Sequence, residues 1–280
     1  MNQGISKKEQ ASGRFEANIK LFRCPVCKES LATRVSGVGV CCANNHCFDL
    51  ARKGYLNLFM GPQACQYNKE LFVARQKVFG AGVYDPLVSA IAQLIGDLNL
   101  ELPRILDAGC GEGSFLSLMS NHLRSACLIG LDIARDGISL ATSHRSSAMW
   151  LVADLANLPL QGASMDAVLN ILSPANYGEF HRVLKPGGVV IKVLPGGDYL
   201  AEIRDRLPGV ASYSNAEVLS KFGDHMNVQR RVQLHYSVKV TDELWEAMVD
   251  MTPLSQKRQV LGEVPQTLTI DLQVLQGSVV

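Results

Sequence analysis

The residues of this chain that could do chemistry fall into two groups. One is an acid followed by glycines at alternate positions: Asp107, Gly109, Gly111 and Gly113. Glycine adopts backbone conformations closed to other residues and lets the chain approach a ligand closely, so such a turn suits a nucleotide-type ligand. The other group is rich in cysteine and contains one histidine, and thiolate and imidazole are the ligands of structural zinc sites. Its members are Cys24, Cys27, Cys41, Cys42, His46 and Cys47.

The glycine stretch lies between a strand pattern and a helix pattern. Ile105 and Leu106 form a short apolar run of strand type, and an amphipathic helical pattern begins at Phe115. The free N–H groups at the start of that helix could bind the ligand's polar groups. A dinucleotide fingerprint, G-x-G-x-x-G, would need its third glycine at position 114, but that residue is Ser114. The spacing therefore disfavours a dinucleotide site.

The pattern D-x-G-x-G-x-G resembles the first motif of the class I S-adenosylmethionine-dependent methyltransferases. The resemblance implies S-adenosylmethionine as the cofactor. It also implies that Asp107, Gly109, Gly111 and Gly113 bind the cofactor. We assign Glu112 to cofactor binding as well, and a solvated turn residue is the alternative.

Two further carboxylates follow predicted strands. The strand over residues 126–132 ends in Asp132, about 20 to 25 residues after the turn, where nucleotide-binding α/β folds place the acid that accepts from ribose hydroxyls. We assign Asp132 that role, and capping of the following helix is the alternative. A strand over residues 149–153 ends at Asp154 and Leu155, where the resemblance implies contacts to the adenine ring.

The later segments also follow the order of this methyltransferase class. Strands are predicted over residues 165–172 and 189–194, and the second follows the turn sequence L-K-P-G-G, which is typical of the class. Residues 242–251 read as a helix with Thr241 as its N-cap. We therefore predict an α/β fold: a Rossmann-like class I methyltransferase domain with a mostly parallel seven-stranded sheet, preceded by a small zinc-ribbon domain.

The cysteine spacing is that of a small structural zinc site. Disulfides are the less expected use of these thiols in a reducing compartment. A redox C-x-x-C would need a βαβ context, which is absent. Spacing assigns two ligands to the first C-x-x-C pair and leaves the other two open among Cys41, Cys42, His46 and Cys47.

The cysteine cluster and the following sequence A-R-K-G-Y-L-N-L resemble the bacterial large-subunit rRNA guanine-N1 methyltransferases. These pair an N-terminal zinc ribbon with a class I methyltransferase domain. The resemblance implies a hairpin of 23S rRNA as the partner and contacts to the cofactor from Tyr84. Tyr199 falls where relatives carry a histidine, and either side chain could hydrogen-bond near the cofactor. The implied ligands of Zn²⁺ are Cys24, Cys27, Cys42 and His46.

Charge is distributed unevenly along the chain. Residues 1–80 contain 12 Lys and Arg against 5 Asp and Glu, and the remaining residues contain 15 against 21. A basic first part on an acidic body favours a polyanionic partner such as RNA. An ordinary solvated basic face is the alternative.

Length and composition set the domain division. With 280 residues and 47% apolar content, the chain can hold one sizeable α/β domain and a smaller one. We predict a disordered tail at residues 1–18, a zinc-binding ribbon at 19–62, a helical connector at 63–100 and the methyltransferase domain at 101–280. No apolar run approaches about 18 residues, and the first residues lack a signal peptide's apolar stretch, which predicts a cytoplasmic location and no membrane partner.

The predicted reaction constrains the substrate end of the site. Guanine N1 must be unpaired and must lose its proton near methyl transfer, and holding the two reactants in line supplies much of the catalysis. Asn170, at the end of the fourth strand, is the catalytic candidate because many base methyltransferases place a hydrogen-bonding residue there. The sequence identifies no general base.

Two other functions remain open at this point. One is a small-molecule methyltransferase of the quinone-biosynthesis type, which would use the same cofactor motifs but has no evident need for a zinc ribbon. The other is a non-catalytic RNA-binding adaptor with a degenerate methyltransferase domain. A homodimer is a further expectation, since one subunit could then present RNA to the site of the other.

Overall fold

A computed structural model describes residues 5–34, 39–62, 68–207, 214–252, 260 and 262–279. Its centre is an eight-stranded sheet with the order β10-β11-β9-β8-β5-β6-β7-β4. The first part of the chain provides α1 (Lys7–Ala17), a 3-10 helix (Ile19–Leu21), β1 (Leu31–Thr33), β2 (Gly39–Cys42), β3 (Cys47–Asp49) and β4 (Tyr55–Asn57). Next come α2 (Lys69–Gly80), α3 (Asp85–Gly96), β5 (Arg104–Ala108), α4 (Ser114–His122), β6 (Cys127–Asp132), α5 (Arg135–Ala141) and β7 (Met149–Val152). The last part provides β8 (Met165–Ile171), α6 (Tyr177–Val183), β9 (Leu184–Pro195), α7 (Ala201–Arg204), α8 (Ala216–His225), β10 (Met226–Lys239), α9 (Asp242–Met251) and β11 (Thr267–Val279).

The strand order creates a crevice beside β5. From β5 the chain continues to β6 and β7 on one side, and later to β8 and β9 on the other. These pairings and that of β4 with β7 are parallel, and only the pairings of β11 are antiparallel. In open α/β sheets, ligands bind at the carboxyl ends of the strands where the order reverses.

The apolar strand runs are explained by burial on both faces of the sheet. Ile105 and Leu128 belong to the core on one face, and their neighbours Leu106 and Ile129 belong to the core on the other. A parallel sheet covered on both faces needs such continuous apolar runs. The central strands therefore form a rigid frame whose carboxyl ends can carry polar residues.

The strands predicted over residues 126–132, 149–153 and 165–172 and the last helix agree with the structure within one residue. The prediction of a turn at L-K-P-G-G is wrong, because β9 already begins at Leu184. The helix predicted over residues 242–251 is α9, and the Thr241 side chain caps it by accepting from the Leu244 N–H. Among the described residues, no single helix has the length and apolar character to cross a membrane, and only α2 and α3 together, bent by 79°, pass that test.

The prediction of a disordered tail is wrong for most of that segment, because α1 occupies Lys7–Ala17. Ser6 and Glu9 form a reciprocal capping box at its start. Phe15 is 2% exposed and its ring lies 5.5 Å from that of Phe22. The helix is mostly polar and buries only Ala11 and Phe15, so its sequence carries little periodic apolar signal.

The ribbon is more closely joined to the sheet than the predicted division at residue 62 implies. Strands β1, β2 and β3 form their own antiparallel sheet, but β4 adds an eighth strand to the predicted seven. In addition, Phe22 forms an antiparallel bridge with Leu160, and Arg23 N–H donates to Pro159 O over 3.1 Å. Ribbon and catalytic body therefore share one hydrophobic core.

Truncating Phe15 should destabilise the whole protein. We expect Phe15→Ala to reduce the free energy of unfolding by about 3 kcal/mol, because it removes a buried ring and leaves a cavity. Ile5→Ala, at a residue 69% exposed, is the control and should have little effect. Equal urea midpoints for both variants would mean that α1 does not dock.

Candidate cofactor cavity and metal centre

A cavity of about 440 Å³ opens at the carboxyl ends of β5, β6, β8 and β9. Its walls come from the glycine turn after β5, the end of β6, the segment after β8 and the end of β9. Side chains of α2, including Phe72, Arg75 and Phe79, form another wall. The cavity therefore occupies the crevice that the strand order predicts.

The turn after β5 needs glycine for conformational and steric reasons. Gly109, Gly111 and Gly113 all have positive φ angles, of 90°, 57° and 78°. A Cβ at Gly109 would lie 2.0 Å from the Ser173 hydroxyl, and one at Gly113 would lie 2.6 Å from the Trp150 ring. Side chains at these positions would displace the segments that shape the cavity. Gly109 lines the cavity itself, whereas Gly111 and Gly113 shape the turn from behind.

Asp132 fixes the turn to the next strand. Its Oδ2 accepts from Gly111 N–H and its Oδ1 accepts from Ala134 N–H, both over 2.8 Å. Burial raises the pKa of Asp132, and the two backbone N–H groups act against that shift. A carboxylate has about four lone-pair positions, so each oxygen can accept one further hydrogen bond from a ligand in the cavity. The proposed ribose role and the helix-start role are therefore compatible.

Asp107 is a buried carboxyl group that lacks a partner at one oxygen. It is 1% exposed, and no described group hydrogen-bonds its Oδ1. Burial raises its pKa to about 8, and the nearby Asp132 and Glu112 add to the shift. A buried polar atom without a partner costs free energy. A ligand that brings a positively charged donor would remove that cost, so the site suits a cationic group.

Glu112 faces both the cavity and a neighbouring polar cluster. It lines the cavity, is 1% exposed, and accepts from the Ser114 hydroxyl over 2.7 Å. His144 Nε2 lies 3.0 Å from the Glu112 carbonyl oxygen and 3.4 Å from its carboxylate. These polar contacts compensate for the burial of the Glu112 side chain in the turn.

Two tyrosines far apart in sequence meet in the cavity wall. The hydroxyls of Tyr84 and Tyr199 are 2.6 Å apart. Burial raises the pKa of both, so both stay neutral and one hydroxyl donates to the other. Arg75 also lines the cavity and lies over the ring of Phe72, 5.9 Å from its centroid. Its guanidinium lies beside Gly111 of the glycine turn, a contact that only the structure reveals.

Asn170, the catalytic candidate, lies outside the cavity wall. It is fully buried and does not line the cavity. Its amide donates to the carbonyls of Ala108 and Pro174 over 3.0 and 2.9 Å, and its Oδ1 accepts from Lys192 over 2.5 Å. All its hydrogen-bonding groups are thus engaged in holding neighbouring elements.

Lys192 is the cavity residue that the sequence did not reveal. It lines the cavity, is 4% exposed, and also donates to Ser173 O over 3.1 Å. Among the described residues, no carboxylate forms an ion pair with it, and burial lowers its pKa to about 8. A lysine in a strand of otherwise apolar residues, V-V-I-K-V-L, was the available signal.

Besides Gly111 and Gly113, two more predicted cofactor residues lie outside the cavity wall. Asp154 accepts from Ala156 N–H over 2.8 Å and so forms a turn after β7. Leu155 is partly buried and packs on one of the core faces. Neither lines the cavity.

The cysteine cluster forms a second site, within the ribbon. The ligand atoms of Cys24, Cys27, Cys42 and His46 all lie within 4.8 Å of one another. Cys24 Sγ is 3.6 Å from His46 Nδ1, Cys27 Sγ is 3.6 Å from Cys42 Sγ, and Cys42 Sγ is 3.4 Å from His46 Nδ1. Tetrahedral zinc with these ligands would separate them by about 3.5 to 3.8 Å. The donor set and its spacing therefore fit zinc.

The structure corrects one expectation about the thiols. Cys41 and Cys47 form a disulfide rather than staying reduced bystanders. They are directly paired across β2 and β3, which brings their Cα atoms to 4.2 Å. Because Cys41 alternates with Cys42 along β2, its side chain points to the opposite face from the metal cluster. Strand geometry thus resolves the ligand choice that spacing left open.

Comparison with known proteins matches both parts of the chain. Residues 105–188 match the family described as "Methyltransferase domain", and residues 22–60 match the zinc-ribbon family described as "RlmA, N-terminal". The "Putative 23S rRNA (guanine-N(1)-)-methyltransferase YxjB" of Bacillus subtilis is 36% identical over 275 residues, which cover 93% of this chain and 98% of that protein. The "23S rRNA (guanine(748)-N(1))-methyltransferase" of Streptomyces fradiae is 28% identical over 85% of this chain and 86% of its own length.

Removing one sulfur ligand should release the metal. We expect Cys24→Ser to lose the zinc that the wild-type chain carries and to lower the melting temperature, because the ribbon shares its core with the sheet. Cys127→Ser removes a thiol outside the cluster and is the control. Metal analysis of both purified variants checks this, and an unchanged zinc content in Cys24→Ser would disprove the ligand assignment.

Asp107 should make the ligand-free protein less stable as pH rises. Its folded pKa of about 8 exceeds the ordinary 3.8, so between those values the folded state binds a proton that the unfolded state has released. Stability therefore falls with rising pH in that window. Asp107→Asn cannot titrate, so its urea midpoint should fall less from roughly pH 5 to pH 8. If the urea midpoints of wild type and Asp107→Asn change with pH in parallel, Asp107 does not have the raised pKa.

Proposed function

Because the chain belongs to the family of bacterial 23S rRNA (guanine-N1)-methyltransferases, we propose that it transfers a methyl group from S-adenosylmethionine to N1 of a guanine in 23S rRNA. The similarity to the Bacillus subtilis relative carries this proposal, since it extends over 93% of this chain and 98% of the relative. The cavity and the metal cluster support it, because each offers the chemistry that one of the two matched families requires.

The cofactor would bind at the ends of β5 and β6. When bound, S-adenosylmethionine supplies a methyl group on a positively charged sulfur. Asp132 has lone pairs left for ribose hydroxyls, and the unpartnered oxygen of Asp107 suits the cofactor's ammonium group. Arg75 can pair with its carboxylate, and Tyr84 with Tyr199 closes the wall beside it. The adenine contacts of Asp154 and Leu155 stay a prediction.

Lys192 is the residue we assign to the target guanine. As N1 loses its proton, negative charge develops on the guanine O6, and a nearby cation stabilises that charge. Two of the three N–H donors of Lys192 are used by Asn170 and Ser173, which leaves one for the cavity. Asn170 then acts as a positioning residue that aims the ammonium group, instead of touching the base.

The bond changes of the reaction balance without a covalent enzyme intermediate. The N1–H bond of guanine breaks and its proton passes to solvent. The N1 lone pair forms the bond to the methyl carbon while the carbon–sulfur bond breaks, which neutralises the sulfonium. The chain's contribution is alignment of the two reactants and stabilisation of the guanine anion.

The metal centre has a structural role in this proposal. Four protein ligands complete the tetrahedron of a zinc ion and leave no open position for substrate, as in structural sites. Cys24, Cys27, Cys42 and His46 would hold the ion, which ties the two turns of a segment too small for a large core of its own.

The same proposal includes the RNA context of the guanine, the location of the reaction and the oligomeric state. A guanine in a hairpin loop is the expected target, because N1 is accessible only in an unpaired or flipped base. We place the reaction in the cytoplasm, together with its rRNA substrate. A homodimer stays a prediction.

The proposed function can be tested by methyl transfer. Labelled S-adenosylmethionine is incubated with the purified chain and protein-free 23S rRNA from cells that lack this gene. Label in N1-methylguanine after digestion to nucleosides supports the proposal. Cofactor binding without label in RNA would contradict the proposed function and would favour a small-molecule methyltransferase.

Lys192 should affect the rate of methyl transfer more than cofactor binding. We expect Lys192→Met to lower kcat by about 100-fold, the usual loss when one group that stabilises developing charge is removed. The affinity for S-adenosylmethionine should change little. Lys185→Met is the matched control, because Lys185 lies in the same strand but pairs with Asp166.

The pH dependence of kcat distinguishes charge stabilisation by Lys192 from a purely structural role of this residue. The charged form of Lys192 is lost as pH rises through about 8, so wild-type kcat should fall above that pH. Lys192→Arg stays charged, and its rate should not fall there. If wild type and Lys192→Arg lose activity in parallel, Lys192 does not supply the charge.

A further inference from the structure

A second cavity, of about 530 Å³, lies at the β4 edge of the sheet. Four parts of the chain form it: α1, the turn at Lys53 and Gly54 before β4, the residues from Thr142 to Ser147 that follow α5, and Trp150 of β7. We call it the basic pocket. It exists only because α1 docks on the sheet, so the sequence reading of this segment as a tail could not have found it.

The basic pocket concentrates positive charge. Lys7, Arg14, Lys53 and Arg145 line it, and no aspartate or glutamate does. Among the described residues, none of these four forms an ion pair with a carboxylate. Like charges gathered around one cavity repel each other, so an anion between them would relieve that repulsion.

The cationic groups are held in place but retain hydrogen-bonding capacity. Lys7 Nζ donates to Thr142 O over 3.0 Å, Arg14 Nη1 donates to Ala148 O over 3.3 Å, and Lys53 Nζ donates to the Ser139 hydroxyl over 2.5 Å. A lysine has three N–H donors and an arginine five, so each keeps donors free for a ligand. These anchors reduce the entropy lost when the side chains grip an anion.

The Trp150 ring offers little surface for base stacking. Trp150 lines the pocket but is 3% exposed, because its ring packs against Gly113 of the glycine turn and Gly130 of β6. A nucleobase therefore cannot stack on this ring. The lining instead provides N–H and O–H donors, which suit the oxygens of a phosphate group.

The basic pocket is also a near neighbour of the cofactor cavity. His144 lines the pocket, and its Nε2 contacts Glu112, which lines the cofactor cavity. Trp150 joins the two in the same way, since its ring supports the turn that shapes that cavity. The two cavities are thus separated by only a few side chains, and an RNA hairpin is large enough to contact both.

We propose that the basic pocket binds a backbone phosphate of the rRNA strand that carries the target guanine, and so fixes the register of the RNA on the enzyme. This inference rests on the proposed function. Phosphate contacts of this kind position a nucleic acid without reading its sequence. The proposal also gives a function to part of the excess positive charge in the first 80 residues, because Lys7, Arg14 and Lys53 belong to that segment.

Removing two of the cations tests the proposal. We expect Lys7→Gln combined with Lys53→Gln to weaken binding of the 23S rRNA hairpin by about 5-fold at 0.15 M salt, which is roughly the contribution of one phosphate contact there. The slope of log K against log salt should become shallower by about 1. Lys7→Arg with Lys53→Arg should retain most of the affinity.

The matched control removes two cations from the opposite edge of the sheet. Arg231→Gln with Lys239→Gln alters the same net charge on exposed positions of β10. Hairpin affinity and salt slope should then stay close to wild type. All variants should keep the wild-type affinity for S-adenosylmethionine, which verifies that the cofactor cavity is intact.

The outcomes distinguish this inference from the function on which it rests. If the wild-type chain transfers no methyl group to rRNA, the proposed function fails. If it does, and both double variants to glutamine weaken hairpin binding equally, the effect is one of net charge and the pocket assignment is overturned. The same holds if the pocket variant binds as tightly as wild type.

Discussion

The arrangement of the cofactor cavity depends on one carboxylate with two backbone hydrogen bonds. Asp132 ends β6 and accepts from Gly111 N–H in the neighbouring turn and from Ala134 N–H before α5. It thereby joins two parallel strands, the turn that follows one of them and the helix that follows the other. The turn can meet this carboxylate only because its glycines have positive φ angles and no side chains. The same residues therefore stabilise the turn and shape the cofactor cavity.

The two ends of the molecule are connected through a shared core and a shared sheet edge. The ribbon extends the main sheet through β4, and α1 packs beside it. Because the ribbon and the main sheet are joined, the metal centre stabilises more than the ribbon alone. Its two ligand-bearing turns orient the segment that contacts Leu160 and Pro159. It also brings basic residues from the start of the chain next to the glycine turn. A protein that must hold a large RNA and a small cofactor at once benefits from such proximity.

Much of the fold could be predicted because its signals are local. The acid and glycine motif, the apolar runs of β5 to β8 and the capped helix α9 each depend on neighbouring residues. The features that sequence missed depend on contacts between distant residues. Strand β4 has three residues and pairs with β7, 95 positions later, and α1 buries only Ala11 and Phe15. Likewise, the burial of Lys192 and the Tyr84–Tyr199 contact become visible only when separate strands and helices meet.

The most direct measurement of the central claim is the N1-methylguanine content of 23S rRNA in cells with and without this gene. We expect deletion to remove one N1-methylguanine, the wild-type gene to restore it, and a folded Asp132→Asn variant not to do so. An unchanged content after deletion would disprove the proposed function, and full restoration by the Asp132→Asn variant would disprove the role of Asp132.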